Sequence, residues 1–495
     1  MTQQPAPTGT WASLAHAFSS FQRLRTEVLA GLVVGLALIP EAIAFSILAG
    51  VSPAVGLYTS VILAVVTSFC GGRPALISAA TGAIALVVAP VVANHGVEYL
   101  IATVLLGGAL QLLLGAVGIA KLQRFIPRSV MLGFINALSL LVFFAQLTHL
   151  IGVPWAVYPL ALLGIVIMLA WPKLTTAIPA PLIAVIAVTV VSYFTNAGVP
   201  TVADMGELPS TLPALLLPDV PLTLETLEII APYALSFAVV GLMESLMTAK
   251  LVDDITDVHS NKTREAYGQG IANIVAGLFG GMGGCAVIGQ TMINVRESRA
   301  RTRLSTLLSG LFLLILVLLL SDVVGHIPMA ALAAVLIVVS LATIDWHSLN
   351  PRTLRVMPLS ETIVMFVTMV GTLGTGNLAI GVVLGVVTAS LMFARRVAHL
   401  VTVTKSDSDS PRTYFVRGQL FWASSNDLVY QFDYLDTAEE IVIDLSGAEI
   451  WDASTVATLD SITRKFDAKG KTVHLAGLDG PSLQRLKRLQ GLLHD

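Results

Sequence analysis

The stretch Gly241-Leu242-Met243-Glu244-Ser245-Leu246-Met247-Thr248-Ala249-Lys250 closes an apolar run that begins near Leu227. A run of about twenty such residues is long enough to cross a bilayer as one helix. Glu244 lies inside it, roughly two helical turns short of the charged end at Lys250 and Asp253-Asp254. An ionised carboxylate at that depth costs about 3 kcal/mol or more, so it is paired, faces a wet cavity, or is protonated. Ser245 and Thr248 add small polar groups, and Thr248 shares a helix face with Glu244. Further on, Gly280-Gly281-Met282-Gly283-Gly284-Cys285-Ala286 offers no comfortable regular helix. A mid-membrane acid beside a glycine-broken helix is how membrane carriers build a site.

The rest of the chain agrees with a membrane setting. Of its 495 residues, 55% are hydrophobic and only 12% charged, with a mean hydropathy of +0.83. A soluble domain carries about twice that charge. A formal net charge of -3 gives no reason to expect a nucleic-acid partner. The two cysteines, Cys70 and Cys285, fall at or inside apolar segments, which excludes a disulfide framework and a metal site built on them. The N-terminus lacks the charged start and cleavage pattern of a signal peptide and is expected to stay cytoplasmic.

After a polar start, residues 10–27 read as a short surface helix, making 1–27 a cytoplasmic N-terminus. Apolar spans follow at 29–48, 53–70, 79–93, 97–118, 128–151, 157–171 and 180–198. A Pro-rich acidic loop then leads to 227–249, 265–280, 285–297, 303–322, 328–343, 360–375 and 377–394. This predicts an all-α polytopic domain over 28–400, with seven spans in each half (28–198 and 226–400). Charge tests the count. With the N-terminus inside, every Lys and Arg from Arg23 to Arg396 falls on the cytoplasmic face, and Lys121 and Arg124 are among them. Arg296, Arg299, Arg301 and Arg303 read as topology and lipid-headgroup anchors.

An odd number of spans per half inverts one half relative to the other, and the residues echo this. Gly35 to Pro40-Glu41 in span 1 matches Gly241 to Glu244 in span 8, each with one deep acid. Gly71-Gly72-Arg73-Pro74 leads to Ser78-Ala79-Ala80-Thr81 as Gly280–Gly284 leads to Cys285-Ala286. Spans 3 and 10 therefore read as half-helices preceded by extended backbone, which a bilayer tolerates only where protein or a cavity satisfies it. Two half-helix N-termini facing each other would present unpaired N–H groups and suit an anion.

Residues 401–412 read as a polar linker around Ser406–Pro411, and 413–495 as a small α/β domain on the cytoplasmic side. Its strands are expected at 413–417, 440–445 and 472–476, and its helices at 453–468 and 482–493. No catalytic constellation is present, so the chain is not read as an enzyme, and no cofactor is expected.

With these residues in view, the chain resembles the sulfate permease (SulP) family of anion transporters, relatives of prestin and of bacterial C4-dicarboxylate carriers. The resemblance rests on Ala30-Gly31 through Pro40-Glu41, Ile77 through Thr81, Glu244-Ser245-Leu246 through Asp253-Asp254, and Gly268-Gln269-Gly270 through Asn273. The C-terminal part is similar to the family's STAS domain, through Asp444-Leu445-Ser446 and Asp452-Ala453-Ser454. It implies a 7+7 inverted repeat as in uracil transporters, with spans 1–4 and 8–11 a core moving against a gate. It also implies a homodimer in the bacterial inner (plasma) membrane, with both termini cytoplasmic.

The substrate site is then expected to include Glu41, Ala80, Thr81, Glu244, Thr248, Cys285, Ala286, Val287, Ile288 and Gln290. Many family members have Arg where Gln290 stands, and sodium-coupled members have small or hydroxyl residues in place of Val287 and Ile288. Those departures leave Glu244 as the coupling group and point to proton-coupled uptake of a small organic anion such as fumarate or succinate. The alternatives are an inorganic anion exchanger (sulfate, bicarbonate, chloride), a sodium-coupled carrier, or a voltage-responsive or signalling protein. Ser454 falls where relatives of the STAS fold are phosphorylated and is a regulatory candidate.

Overall fold

The computed structural model describes residues 7–118, 126–175, 178–208, 211–221, 223–398, 401–407 and 411–489. Lys121, Arg124, Ser408–Ser410 of the linker and the last residues of the C-terminal helix lie outside the described residues. The chain divides between Val386 and Val387 into two compact units.

Fourteen segments make up the membrane domain. The first seven are α1 Phe21–Ala49, α2 Pro53–Cys70, α3 Gly82–His95, α4 Val97–Val117, α5 Arg128–Leu147, α6 Val157–Leu174 and α7 Ala180–Thr195. The second seven are α8 Leu224–Thr256, α9 Lys262–Leu278, α10 Ile288–Met292 with its π turn Ile293–Glu297, α11 Arg303–Leu319, α12 Met329–Thr343, α13 Leu359–Thr375 and α14 Leu378–Ala398. Seven of them are long and apolar enough to span by themselves, and five more are shorter apolar helices. The remaining two, α9 and α10, depart from that pattern for a reason. Glu265, Gln269 and Asn273 form a buried polar stripe along α9, and α10 starts only after a glycine break. Close helix approach needs small residues in membranes. At Gly31 of α1 an added Cβ would come within 2.7 Å of Leu308 Cβ on α11.

Two expectations are corrected here. The surface helix predicted over 10–27 breaks. A helix Thr10–Ala17 ends before Ser20, whose hydroxyl accepts the Arg23 N–H at 3.2 Å and caps α1. Residues 21–27 thus belong to α1, and Glu27 is buried, accepting the backbone N–H groups of Arg301 (2.8 Å) and Thr302 (3.0 Å). The arginines after α10 are not uniformly headgroup anchors either. Arg303 is fully buried and donates to the carbonyls of Ser68 (3.2 Å), Thr8 (3.0 Å) and Gly71 (2.7 Å), while Arg301 donates to those of Val295 and Ala300. Helix ends and irregular backbone leave carbonyls unpaired, and a guanidinium with several donors satisfies them.

The second unit carries a four-stranded sheet in the order β3-β4-β5-β6: Thr402–Lys405, Arg412–Leu420, Glu440–Ile450 and Thr472–Ala476. The pairing of β3 with β4 is antiparallel, and the other two pairings are parallel. Helices α15 Trp422–Leu428, α16 Ala453–Asp467 and α17 Gly480–Leu489 accompany it. Tyr414, Ile441, Ile443 and Phe466 lie in its core. The linker expected over 401–412 is corrected: Val401 and Val403 reach that core, so Thr402–Lys405 is held as an edge strand. Asp436 is buried between Arg412 Nε (3.1 Å) and Tyr414 Oη (3.1 Å). Burial alone would raise its carboxyl, but donors from Ala438, Tyr414 and Arg412 outweigh that and hold it at about 2. Ser454 is exposed on the first turn of α16, beside its Asp452 cap.

Candidate functional site

The site begins where two helices stop. α2 ends at Cys70 and α9 at Leu278, and the chain then runs non-helically to two short strands, β1 Ser78–Ala79 and β2 Cys285–Ala286. These pair antiparallel, Ser78 opposite Ala286 and Ala79 opposite Cys285, and the Val287 N–H adds a bond to the Ile77 carbonyl at 2.8 Å. Glycine is required at 284: a Cβ there would lie 2.0 Å from the Ala79 carbonyl oxygen. α3 and α10 start directly beyond this stitch, which joins the two repeats.

Irregular backbone in the bilayer needs partners for every N–H and C=O, and neighbouring helices provide them. From α2, Ser60 Oγ accepts the Ala80 N–H (3.1 Å) and Thr59 Oγ1 the Met282 N–H (3.0 Å). On α9, Asn273 accepts the Gly284 N–H (2.9 Å) and donates to its carbonyl (3.1 Å), while Gln269 donates to Ser78 Oγ (2.7 Å). Ser245 of α8 accepts the Ala286 N–H at 3.0 Å. This explains the polar stripe on α9. A carboxamide or acid recurring at 265, 269 and 273 inside an apolar segment is a signal of this bracing role that is legible in the sequence.

A cavity of about 140 Å³ opens beside the stitch. α1 contributes Glu41, α3 Thr81, α8 Glu244, and α10 Val287, Ile288 and Gln290. Its remaining wall is mostly apolar and comes largely from α5 and α12, including Phe134 and Leu336, which carried no signal that singled them out. Thr81 caps α3, accepting the Ile84 N–H. None of the lining residues is Lys, Arg or His. Gln290 is buried with its side-chain oxygen unbonded.

Six of the ten expected site residues therefore line one cavity: Glu41, Thr81, Glu244, Val287, Ile288 and Gln290. The other four stand outside its lining. Ala80, Cys285 and Ala286 sit in or beside the stitch. Thr248 turns its hydroxyl back onto the Glu244 carbonyl at 2.8 Å, the usual use of Thr inside a helix. Cys285 still touches the chemistry: its thiol donates to Glu244 Oε2 at 2.8 Å and lies 3.1 Å from Thr81 Oγ1. That relay joins α3, β2 and α8 and was not visible in the sequence.

A multi-pass bundle of two inverted seven-segment repeats, with broken helices meeting at a buried cavity, defines a membrane carrier. The sulfate permease family matches residues 24–158 and 153–368, and the STAS domain matches 402–492. The chain belongs to the sulfate permease family, so it is an anion transporter with a C-terminal STAS domain and not an enzyme. YbaR of Bacillus subtilis (strain 168) is 48% identical over 95% of this chain and 98% of its own length. The bicarbonate transporter BicA of Picosynechococcus sp. is 25% identical over 95% of this chain and 91% of its own. The solved structure of murine Slc26a9, an anion transporter in the inward-facing state, superposes with a TM-score of 0.84. It is 17% identical and covers 97% of this chain and 89% of that one, a likeness that bears on the fold alone.

Proposed function

We propose that the protein is a proton-coupled symporter of a small anion, working by alternating access, with Glu244 as the coupling carboxyl. One observation carries this reading: the cavity holds two carboxyls, Glu41 and Glu244, and no basic residue. An anion cannot share a buried space with an ionised carboxylate at low cost, so its entry favours the protonated acid. Thr81, Gln290 and the start of α3 then supply donors to the anion, and loss of the proton on the far side expels it. The walls fit the movement. α1, α3, α8 and α10 of the core line one part of the cavity and α5 and α12 of the gate the other.

The apolar lining favours an organic anion with a hydrocarbon body, and a C4-dicarboxylate such as fumarate or succinate is the first candidate. A compact inorganic anion is the second reading. The cavity volume equals about five waters, and sulfate or bicarbonate suits it, as the family's name and that of BicA indicate for relatives. A homodimer in the bacterial inner membrane with both termini cytoplasmic belongs to the same reading, and the one-sided distribution of Lys and Arg supports its orientation.

Uptake of labelled fumarate, sulfate and bicarbonate into proteoliposomes, with and without an inward proton gradient, tests the proposal. Gradient-driven uptake of one of these that loses its pH dependence in Glu244→Gln is the expected result. Indifference of the wild type to the gradient would refute proton coupling, and preference for sulfate or bicarbonate would refute the dicarboxylate.

A further inference from the structure

A second cavity, of about 280 Å³, lies away from the substrate site, where the start of α1 meets the loop between α10 and α11. Arg23, Arg299 and Arg301 line it together with the side chains of Ser20, Thr26 and Ser298, and the only acid in the lining is Glu27. Three guanidinium groups against one carboxylate leave the cavity cationic. Arg23 uses part of its fork on the His16 carbonyl (3.3 Å) and Ser19 Oγ, and Arg301 uses one nitrogen on nearby carbonyls. Arg299 is exposed and makes no hydrogen bond or ion pair among the described residues. Its backbone also stands at φ +60°, a left-handed conformation that a non-glycine residue adopts at a cost. Nothing among the described residues accounts for holding an unpaired arginine there.

Two further features narrow the ligand. Glu27 is buried and spends Oε1 on the Arg301 and Thr302 amides, so it offsets only part of the positive charge around the cavity. A phosphate would satisfy the guanidinium donors that remain. Beside the cavity, Phe18 and Phe21 flank Ser20 in sequence and are 63% and 82% exposed, and Trp11 on the preceding helix is 77% exposed. Exposed aromatic rings next to cationic side chains at the end of a membrane helix are the pattern of a lipid-facing interface.

We propose that this cavity binds the phosphodiester headgroup of an anionic phospholipid, with the phosphate on Arg23, Arg299 and Arg301. Guanidinium forks match phosphate oxygens in pairs, so the preference is for a phosphate over a diffuse negative surface. Ser298 and Arg299 directly follow the π turn of α10, whose other end carries Val287 to Gln290 in the substrate cavity. A bound headgroup therefore fixes the far end of the segment that lines the site.

The test is thermal unfolding of the purified full-length chain in non-ionic detergent supplemented with phosphatidylglycerol, phosphatidylcholine or inorganic phosphate. Phosphatidylglycerol is expected to raise Tm by several degrees over phosphatidylcholine, with inorganic phosphate giving little. Arg299→Gly relieves the left-handed backbone while deleting the charge, so it should fold and lose most of the response. Arg23→Gln should lose it too, whereas Arg296→Gln, an exposed neighbour outside the cavity, should keep it. An unchanged response in Arg299→Gly and Arg23→Gln would overturn the site. Equal loss in Arg296→Gln would reduce it to surface charge, and full protection by inorganic phosphate would exclude the lipid. None of these readouts involves transport.

Discussion

Asp253 and Glu244 stand on the same helix, α8, and both are buried, but their surroundings differ in kind. Asp253 meets Arg73 Nη1 at 3.1 Å and Lys262 Nζ at 2.8 Å, and also accepts from the Ser260 N–H and hydroxyl. Nearby Glu265 accepts the Gly72 and Arg73 amides at 2.6 and 3.0 Å. These acids have permanent cationic or amide partners, and they pin the segment leading into β1 to α8 and α9. Glu244 has a thiol on one oxygen and a cavity in front of it. A fully compensated acid holds the scaffold in one charge state, whereas the proposed coupling needs an acid that faces open space.

The contrast breaks down unless the two acids fail differently when altered. Glu244→Gln should abolish gradient-driven uptake in proteoliposomes while leaving the unfolding midpoint nearly unmoved. Arg73→Met should do the opposite. It strands Asp253 with half its compensation, destabilising the protein by about 3–5 kcal/mol in detergent unfolding. Adding Asp253→Leu should recover much of that loss, because replacing a whole buried pair is far cheaper than halving it. An intermediate case sharpens the comparison. Gly284→Ala forces a methyl against the Ala79 carbonyl, costing about 1–3 kcal/mol, and should also depress uptake by displacing the starts of α3 and α10.

The smallest effect is expected in the STAS unit, where Asp436 repeats the compensated pattern. Its carboxyl is held at about 2 against an ordinary 3.8, so as pH falls the unfolded chain takes up the proton first. The stabilisation is complete above about pH 4 and drains away between there and pH 2. Hydrogen exchange of the β4 and β5 amides in the full chain should follow that window, and Asp436→Asn should flatten it.

Much of the membrane fold was legible because bilayer thickness forces long apolar runs and charge bias orders them. The breaks before α3 and α10 were legible too, because four glycines at 280–284 leave few alternatives. The burial of Arg303, and the hold of Arg301 on the Val295 and Ala300 carbonyls, were not. An arginine beside a span end reads the same whether it meets headgroups or a buried helix end whose carbonyls need donors. The start of α1 was misread for a related reason: Arg23, Arg25 and Glu27 look like a solvated stretch, although Glu27 is buried as a cap for another segment. In the site, Glu41, Thr81, Glu244 and Gln290 stood out as polar groups at apolar depth, whereas the α5 and α12 walls are ordinary hydrophobic residues whose position only packing reveals. The thiol between Thr81 and Glu244 depends on contacts across 204 and 41 residues, which no local pattern encodes.

The stitch between β1 and β2 also sets a timetable for synthesis. Ile77 to Ala79 emerge from the ribosome some 200 residues before Cys285 to Val287, a wait of about 10–40 s at ordinary elongation rates. Through that interval their backbone groups have no partner strand. A nascent chain arrested before Cys285 is expected to leave Ser78 and Thr81 open to solvent labelling that the finished chain denies them. The first half of this protein cannot complete itself as it is made; its third segment settles only when the second half arrives to hold it.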